Sequence, residues 1–375
     1  MVADLRWAWA EVDLGAYARN VSRIVRAASP SATWAVVKAD AYGHGAVPCA
    51  RAALDAGASG LCVATVAEGL ELRGEGIDAP VLVLGEQPPE QFAAAVAARL
   101  ALTASRTDVL VALSAAARSA GIPAMVHVEV DTGMHRVGVE PGEVPVLAGR
   151  IASDDWLDGE GCFTHFAVAD EPGRDGTTAA QLAAFQGAVE ACGRAGWRPR
   201  LLHAANSAAL LRGLVRGADG WIVRAGIAAY GIDPDPAHDE PEGFEPVLSL
   251  RARVSHVQRR RAGEAMSYGL RRPLDRDATV ATLPLGYADG LRRDAWRECE
   301  VLVGGRRRRF AGTVTMDQSM VDCGDDPVSV GDEVVLIGPQ DGGRIPVNEW
   351  ARRLGTIGYE VTCAISRRVP RRWVR

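Results

Sequence analysis

From Val12 to about Asp233 the chain alternates short apolar runs with alanine-rich stretches whose apolar positions return at helical spacing among charged ones. The runs at 34–38, 60–64, 81–85, 101–104, 124–130, 161–166, 201–204 and 221–224 predict strands. Stretches at 48–57, 89–100, 108–121 and 177–196 predict helices between them. Eight such alternations favour a closed (β/α)8 barrel of the TIM type over an open sheet. At 233–241, rich in proline and aspartate, the pattern breaks into what reads as a linker. Strands are predicted after it at 247–257, 280–285, 300–303, 310–321 and 333–337, with a hairpin turn at Gly304-Gly305 and one helical stretch at 347–354. The expected organisation is an α/β barrel over 1–240 and a mainly β domain over 241–375.

Composition narrows the class. A chain of 375 residues, 48% hydrophobic, is long enough for two domains with full cores. A net charge of −5 gives no sign of nucleic acid as a partner. The basic runs at 259–261 and 306–309 and the arginine-rich end from 367 read as solvated turns. The start, 1–13, is interrupted by Asp4, Glu11 and Asp13, unlike a secretory signal, and no apolar stretch is long enough to span a bilayer. Seven cysteines without a CxxC pair suggest reduced thiols, hence a cytoplasmic location, and no metal site is expected.

One lysine, Lys38, stands among 42 basic residues. Arginine replaces lysine as a surface charge but cannot lose its proton near neutral pH and attack a carbonyl. Lys38 closes the apolar run Trp34-Ala35-Val36-Val37, at the carboxyl end of a predicted barrel strand, where barrel enzymes carry their active sites. A lysine there can form an imine with an aldehyde cofactor, of which pyridoxal phosphate is the usual one. Other residues with chemistry follow other strands: Asp131-Thr132-Gly133-Met134-His135-Arg136, Thr164-His165-Phe166, His203-Ala204-Ala205-Asn206-Ser207, and Arg224-Ala225-Gly226-Ile227. A single buried histidine or arginine is more often structural than catalytic. Five segments at five strand ends are harder to dismiss.

The run Ala35-Val36-Val37-Lys38-Ala39-Asp40-Ala41-Tyr42-Gly43-His44-Gly45 resembles the alanine racemase family. The resemblance continues through Met266-Ser267-Tyr268-Gly269, Leu285-Gly286-Tyr287-Ala288-Asp289-Gly290, Met316-Asp317-Gln318 and Gly358-Tyr359-Glu360, and so covers essentially the whole chain. It implies a pyridoxal 5'-phosphate enzyme, active as a homodimer, that interconverts L- and D-alanine and supplies D-alanine as a peptidoglycan precursor. Lys38 would bind the cofactor and act as one base, and Tyr268 from the second subunit would be the other. A free tyrosine near pKa 10 is about a thousandth ionised at pH 7, so such a base needs a shift of roughly 3 units, about 4 kcal/mol. One cation at about 4 Å in an effective dielectric near 20 supplies a term of that size. His165 and Arg136 are the candidates for that charge.

By the same resemblance, Arg224 faces the pyridine nitrogen and His203 supports it, with His165 also among the cofactor-binding residues. Since arginine keeps its proton, the ring nitrogen would stay unprotonated, which limits the lifetime of the substrate carbanion and suits racemisation. Ser207, Gly226, Ile227, Tyr42 and Tyr359 would hold the phosphate. Arg136 and the Met316 backbone would hold the substrate carboxylate, with Asp317 behind them, and Tyr287 and Arg293 would line the entrance.

Departures from the family pattern are His135, where glycine is common, and Thr315, where a smaller residue often stands. A third is Glu129, at a position commonly filled by a carbamylated lysine. In Val126-His127-Val128-Glu129-Val130-Asp131, strand alternation puts His127, Glu129 and Asp131 on one face, expected to point into the barrel. Glu129 would supply the carbamate's negative charge to Arg136 unaided, through a bridging water or a shifted arginine. Alternatives are a racemase of serine or other amino acids, and a protein that only binds pyridoxal phosphate. Tyr268, Tyr287 and Met316 argue against the second.

Overall fold

The computed structural model describes residues 6–215 and 217–375. Residues 1–5, the start of the stretch read as unlike a secretory signal, lie outside the described residues. Two compact units emerge: residues 18–41 with 46–229, and residues 6–17 with 42–45 and 230–375.

The chain's first strand, β1 (Ala8–Asp13), belongs to the second unit. The first unit holds β2 (Ala32–Val36), β3 (Gly60–Val63), β4 (Val81–Val83), β5 (Ala101–Ala104), β6 (Ala124–Glu129), β7 (Leu157–Phe163), β8 (Leu201–His203) and β9 (Ile222–Ala225). These run parallel in the order β8-β7-β6-β5-β4-β3-β2-β9. A bridge between Leu202 and Trp221 joins β8 to β9 and closes the barrel. The strands are short and almost wholly buried because helices cover their outer face and side chains fill the inside. The helices start and stop where local chemistry dictates. Thr65 and Glu68 form a capping box for Val66–Gly74, and Gly121, at φ 67°, ends Thr107–Ala120 in the left-handed conformation.

All eight barrel strands expected from the apolar pattern are present. One detail at the first of them differs. The apolar run read as a strand up to Lys38 ends at Val36, and Lys38 opens the turn Lys38–Gly43. In that turn Ala39, Asp40, Ala41 and Tyr42 all have φ 53°. Left-handed backbone costs about 1–2 kcal/mol for each residue with a Cβ, so the turn needs outside support. The Ala39 amide donates to Glu68 Oε1 at 2.7 Å, and Asp40 Oδ1 accepts from the Ala46 amide at 2.8 Å.

The second unit continues with β10 (Leu248–Arg253), β11 (His256–Arg260), β12 (Ala278–Leu283), β13 (Glu300–Val303), β14 (Arg306–Arg309), β15 (Ser319–Gly324), β16 (Glu333–Gln340), β17 (Gly343–Ile345) and β18 (Arg371–Val374). One sheet has the order β14-β13-β16-β10-β1-β18, with β17 on β16, and a second holds β11-β12-β15. The hairpin at Gly304-Gly305 forms, with both glycines at positive φ (56° and 73°) and Val303 opposite Arg306. That is the backbone a two-residue hairpin turn demands.

Other expectations for this unit need correction. The run 247–257 is two strands in different sheets, broken where the Val254 amide donates to Asp332 and the Ser255 amide to Thr282. Of 310–321, Phe310 makes only an isolated bridge to Val321, and a loop carrying Thr315 and Met316 precedes β15. A second helix, Gly358–Ala364, joins Val347–Leu354. The stretch 233–241 is a packed turn rather than a loose linker: Asn348 Nδ2 donates to the carbonyls of Asp233 at 3.0 Å and His238 at 2.7 Å.

Candidate functional site

The barrel strands end in a cluster of cations. Lys38, half-buried just past β2, has no hydrogen-bond partner for its amine among the described residues. Burial, then the charges of Arg136 and Arg224, push its pKa below the usual lysine value. Such an amine is more often neutral and nucleophilic. Glu68, which also acts on Lys38, is occupied by three backbone amides, those of Ala39, Ala64 and Thr65.

Arg224, on β9 and 3% exposed, is held by acceptors on neighbouring strands. Nη1 donates to His203 Nδ1 at 2.9 Å, and Nη2 donates to the Thr164 carbonyl and to His165 Nδ1, each at 3.0 Å. Phe163 stacks on His203 with centroids 4.6 Å apart and lies under the Arg224 guanidinium. Burial and the arginine's charge drive His203 well below the ordinary histidine pKa. Burial, then Arg224, Arg136 and Lys38, take His165 to about 3. His165 is therefore neutral at pH 7, and the expectation that it could supply a cation to a tyrosine base is corrected. Arg136 remains the candidate for that charge.

Glu129 ends β6 and is buried. Burial pushes its carboxyl up to about 7, against the opposing pull of Arg224 and Arg136. Its carboxylate has no direct hydrogen bond among the described residues, and nor does Arg136, exposed on the loop after Val130. The loop is shaped by Asp131, which accepts from the Gly133 and His135 amides at 3.0 Å and lies 3.1 Å from the His135 ring. Ser207 Oγ accepts from the Gly226 amide at 3.1 Å and the Ala228 amide at 3.3 Å. Lys38, Arg136, Arg224, His165, His203, Ser207, Gly226 and Ile227 thus all belong to this unit, with Glu129 beside the arginines.

Apolar side chains are exposed in the second unit. Tyr268 is 69% exposed, Leu270 64% and Met316 52%. The Tyr268 loop is tied to the Thr315 segment: Ser267 Oγ donates to the Thr313 carbonyl at 2.6 Å, and Thr313 Oγ1 donates to the Tyr268 carbonyl at 3.0 Å. Tyr287 and Ala288 donate backbone amides to Thr315 and Met316. Asp289 is fully buried between Arg6 and Arg368, at 2.5 and 3.2 Å, and Arg368 also reaches Asp317 at 2.7 Å. Arg293 is exposed. Tyr42 meets Tyr230 at 5.0 Å and Tyr359 at 5.8 Å between centroids.

Sequence reasoning gave no role to Glu160 and named His127 only as a strand position. His127 Nε2 lies 3.1 Å from Glu160 Oε2, and its Nδ1 lies 2.9 Å from His203 Nε2. The period-two pattern of β6 could have pointed to His127. Glu160 sits where the β6–β7 register slips, with Val126 opposite Gly159 and His127 opposite Gly161, and no sequence pattern announces such a slip.

Arg136 and Arg224 gather with Lys38 beside Glu129, whose ionisation burial disfavours, while Glu68 and Asp131 are taken up by backbone amides, so the site favours an anion. Fold and charge together define a barrel protein whose strand-end site suits a small anionic ligand. Family models described as "Alanine racemase, N-terminal domain" and "Alanine racemase, C-terminal domain" match residues 12–234 and 247–373. An alanine racemase of Symbiobacterium thermophilum is 46% identical, over 98% of this chain and 97% of its own. The solved alanine racemase of Streptomyces coelicolor is 41% identical with a TM-score of 0.94, covering 100% of this chain and 99% of that one. A solved histidine racemase from Leuconostoc mesenteroides is 28% identical with a TM-score of 0.91, covering 100% and 99%. The chain belongs to the alanine racemase family.

Proposed function

We propose that this chain interconverts L- and D-alanine with pyridoxal 5'-phosphate as cofactor, as a homodimer in the cytoplasm, where D-alanine serves as a peptidoglycan precursor. The observation that carries the reading is the single lysine at the carboxyl end of β2, with its pKa lowered by burial and by Arg136 and Arg224. The excess of cations fits a phosphorylated cofactor and a carboxylate substrate. When bound, pyridoxal phosphate supplies an electron sink for the negative charge left at the substrate α-carbon.

The chain's own residues do the rest. Lys38 holds the cofactor through Nζ and exchanges a proton with the α-carbon on one face. Tyr268, exposed in its own chain, reaches a second copy and exchanges the proton on the opposite face through Oη. The exposed Tyr268, Leu270 and Met316 support such a docking surface. Arg224 keeps its proton and leaves the ring nitrogen an acceptor, which discourages side reactions. Ser207, whose Oγ the Gly226 amide steadies at 3.1 Å, and the Ile227 amide would hold the phosphate, and the resemblance adds the Gly226 backbone, Tyr42 and Tyr359. Arg136 and the Met316 amide orient the substrate carboxylate, with Glu129 and Asp317 as positioning residues and Tyr287 and Arg293 at the entrance.

Borohydride treatment of the purified protein tests the assignment. Peptide mapping should place a pyridoxyl group on Lys38, and the sequence offers no other lysine to compete. Label elsewhere, or no cofactor retained after reconstitution, would defeat it. The histidine racemase relative keeps a broader side-chain range as a second reading.

A further inference from the structure

A directional chain of hydrogen bonds runs through the barrel interior, and its direction follows from one fact. Arginine can only donate. Arg224 Nη1, 2.9 Å from His203 Nδ1, therefore makes that nitrogen an acceptor, so the His203 proton sits on Nε2. His203 Nε2 must then donate to His127 Nδ1 at 2.9 Å, which places the His127 proton on Nε2. His127 Nε2 in turn donates to Glu160 Oε2 at 3.1 Å. A doubly protonated His127 would have to donate towards His203 as well, and His203 would be left with no proton of its own. Only one arrangement satisfies every atom, and it ends on a carboxylate.

The surroundings are built for this arrangement. His127 is wholly buried, with the Trp34 ring 5.9 Å away. A Cβ on Gly161 would come within 2.3 Å of His127 Nδ1, so only glycine leaves room for the imidazole. The register slip in β7 makes Glu160 the extra residue, and a slip of this kind re-aims a side chain. Outside, Arg200 lies 3.9 Å from Glu160 and is itself fixed by Asp158 at 2.8 Å.

We propose that His127 and Glu160 are positioning residues: by fixing the His203 proton on Nε2, they keep His203 Nδ1 as an acceptor and hold Arg224 in its working orientation. The role rests on the reading that Arg224 faces the ring nitrogen of the cofactor. Loss of the Glu160 acceptor frees both imidazoles to change tautomer. A proton on His203 Nδ1 would then confront an Arg224 donor, and the arginine would turn away.

The test is nitrogen-15 NMR of the histidine rings in cofactor-free protein, paired with kinetics of the holoenzyme. The sequence has only seven histidines to assign. Wild type should show the Nε2–H form at both His127 and His203. Glu160→Ala should mix in the Nδ1–H form at both rings and lower kcat about tenfold, the size of one charged hydrogen bond, with KM for alanine changed less than about twofold. Glu160→Gln, whose amide oxygen still accepts, should restore the tautomer and most of kcat. Wild-type His203 protonated on Nδ1, unchanged tautomers in Glu160→Ala, or equal damage in the alanine and glutamine variants would overturn the proposal. Should the alanine variant not fold, the wild-type and Glu160→Gln spectra still decide. A wild type without racemase activity would instead defeat the functional reading and leave the NMR result standing.

Discussion

Glu129→Gln should stabilise the protein, and more so as pH rises. Glu129 is buried at the end of β6 with its pKa raised from 4.5 to about 7, burial outweighing the attraction of Arg224 and Arg136. A carboxyl whose folded pKa lies above its unfolded value binds more protons when folded, so stability falls as pH climbs through the window from 4.5 to 7. At 1.36 kcal/mol per unit, ionising Glu129 costs about 0.8 kcal/mol at pH 5 and about 3 kcal/mol at pH 8. Glutamine has a similar shape and never ionises, so its advantage should grow by about 2.5 kcal/mol between those pH values. With an unfolding entropy of about 2.1 cal/mol/K per residue, that is a growth of about 3 °C in the difference between melting temperatures. Thermal melts of both proteins across pH 5–8, with cofactor removed so that binding does not contribute, read the quantity directly. A constant offset between the two would leave the reasoning intact only if the pH-dependent part were also present. A difference that stays flat, or shrinks towards pH 8, refutes it.

Arg136 and Glu129 act on each other electrostatically; if that carboxylate steadies Arg136 as proposed, Glu129→Ala should raise KM for alanine and activity should not respond to bicarbonate depletion, and unchanged kinetics would remove Glu129 from the site. Tyr268→Phe should keep the cofactor but abolish racemisation in both directions together, because each direction needs both bases, while solvent-deuterium exchange from one enantiomer survives through Lys38. Near wild-type turnover would overturn that role. Asp289→Ala should cost about 2 kcal/mol of stability, less than the 3–5 of a fully buried pair because Arg6 and Arg368 are partly exposed. Urea denaturation with no loss would show that the pair contributes nothing.

The barrel was legible because its strands are short apolar runs and its helices repeat at their own period, each signal local. Strand β1 was not, because its partners β10 and β18 lie more than two hundred residues away. The helix Gly358–Ala364 opens on glycine and contains Val361 and Thr362, all poor helix formers. The left-handed turn after Lys38 contradicts the preference of its own alanines and aspartate, and depends on Glu68, brought up by the next unit of the barrel. Within the site, Lys38 and the strand-end arginines announced themselves by residue type and place. The neutral state of His165 did not, since it depends first on burial and then on the charges of Arg224, Arg136 and Lys38, which meet only in the fold.

The central claim is tested most directly by incubating the purified holoenzyme with L-alanine, and separately with D-alanine, and separating the enantiomers by chiral chromatography, with serine and histidine as parallel substrates. Enantiomers have equal free energy in water, so both alanine reactions should converge on equal amounts of the two forms, and alanine should turn over faster than serine or histidine. Alanine left as a single enantiomer, or faster turnover of another amino acid, would contradict the assignment.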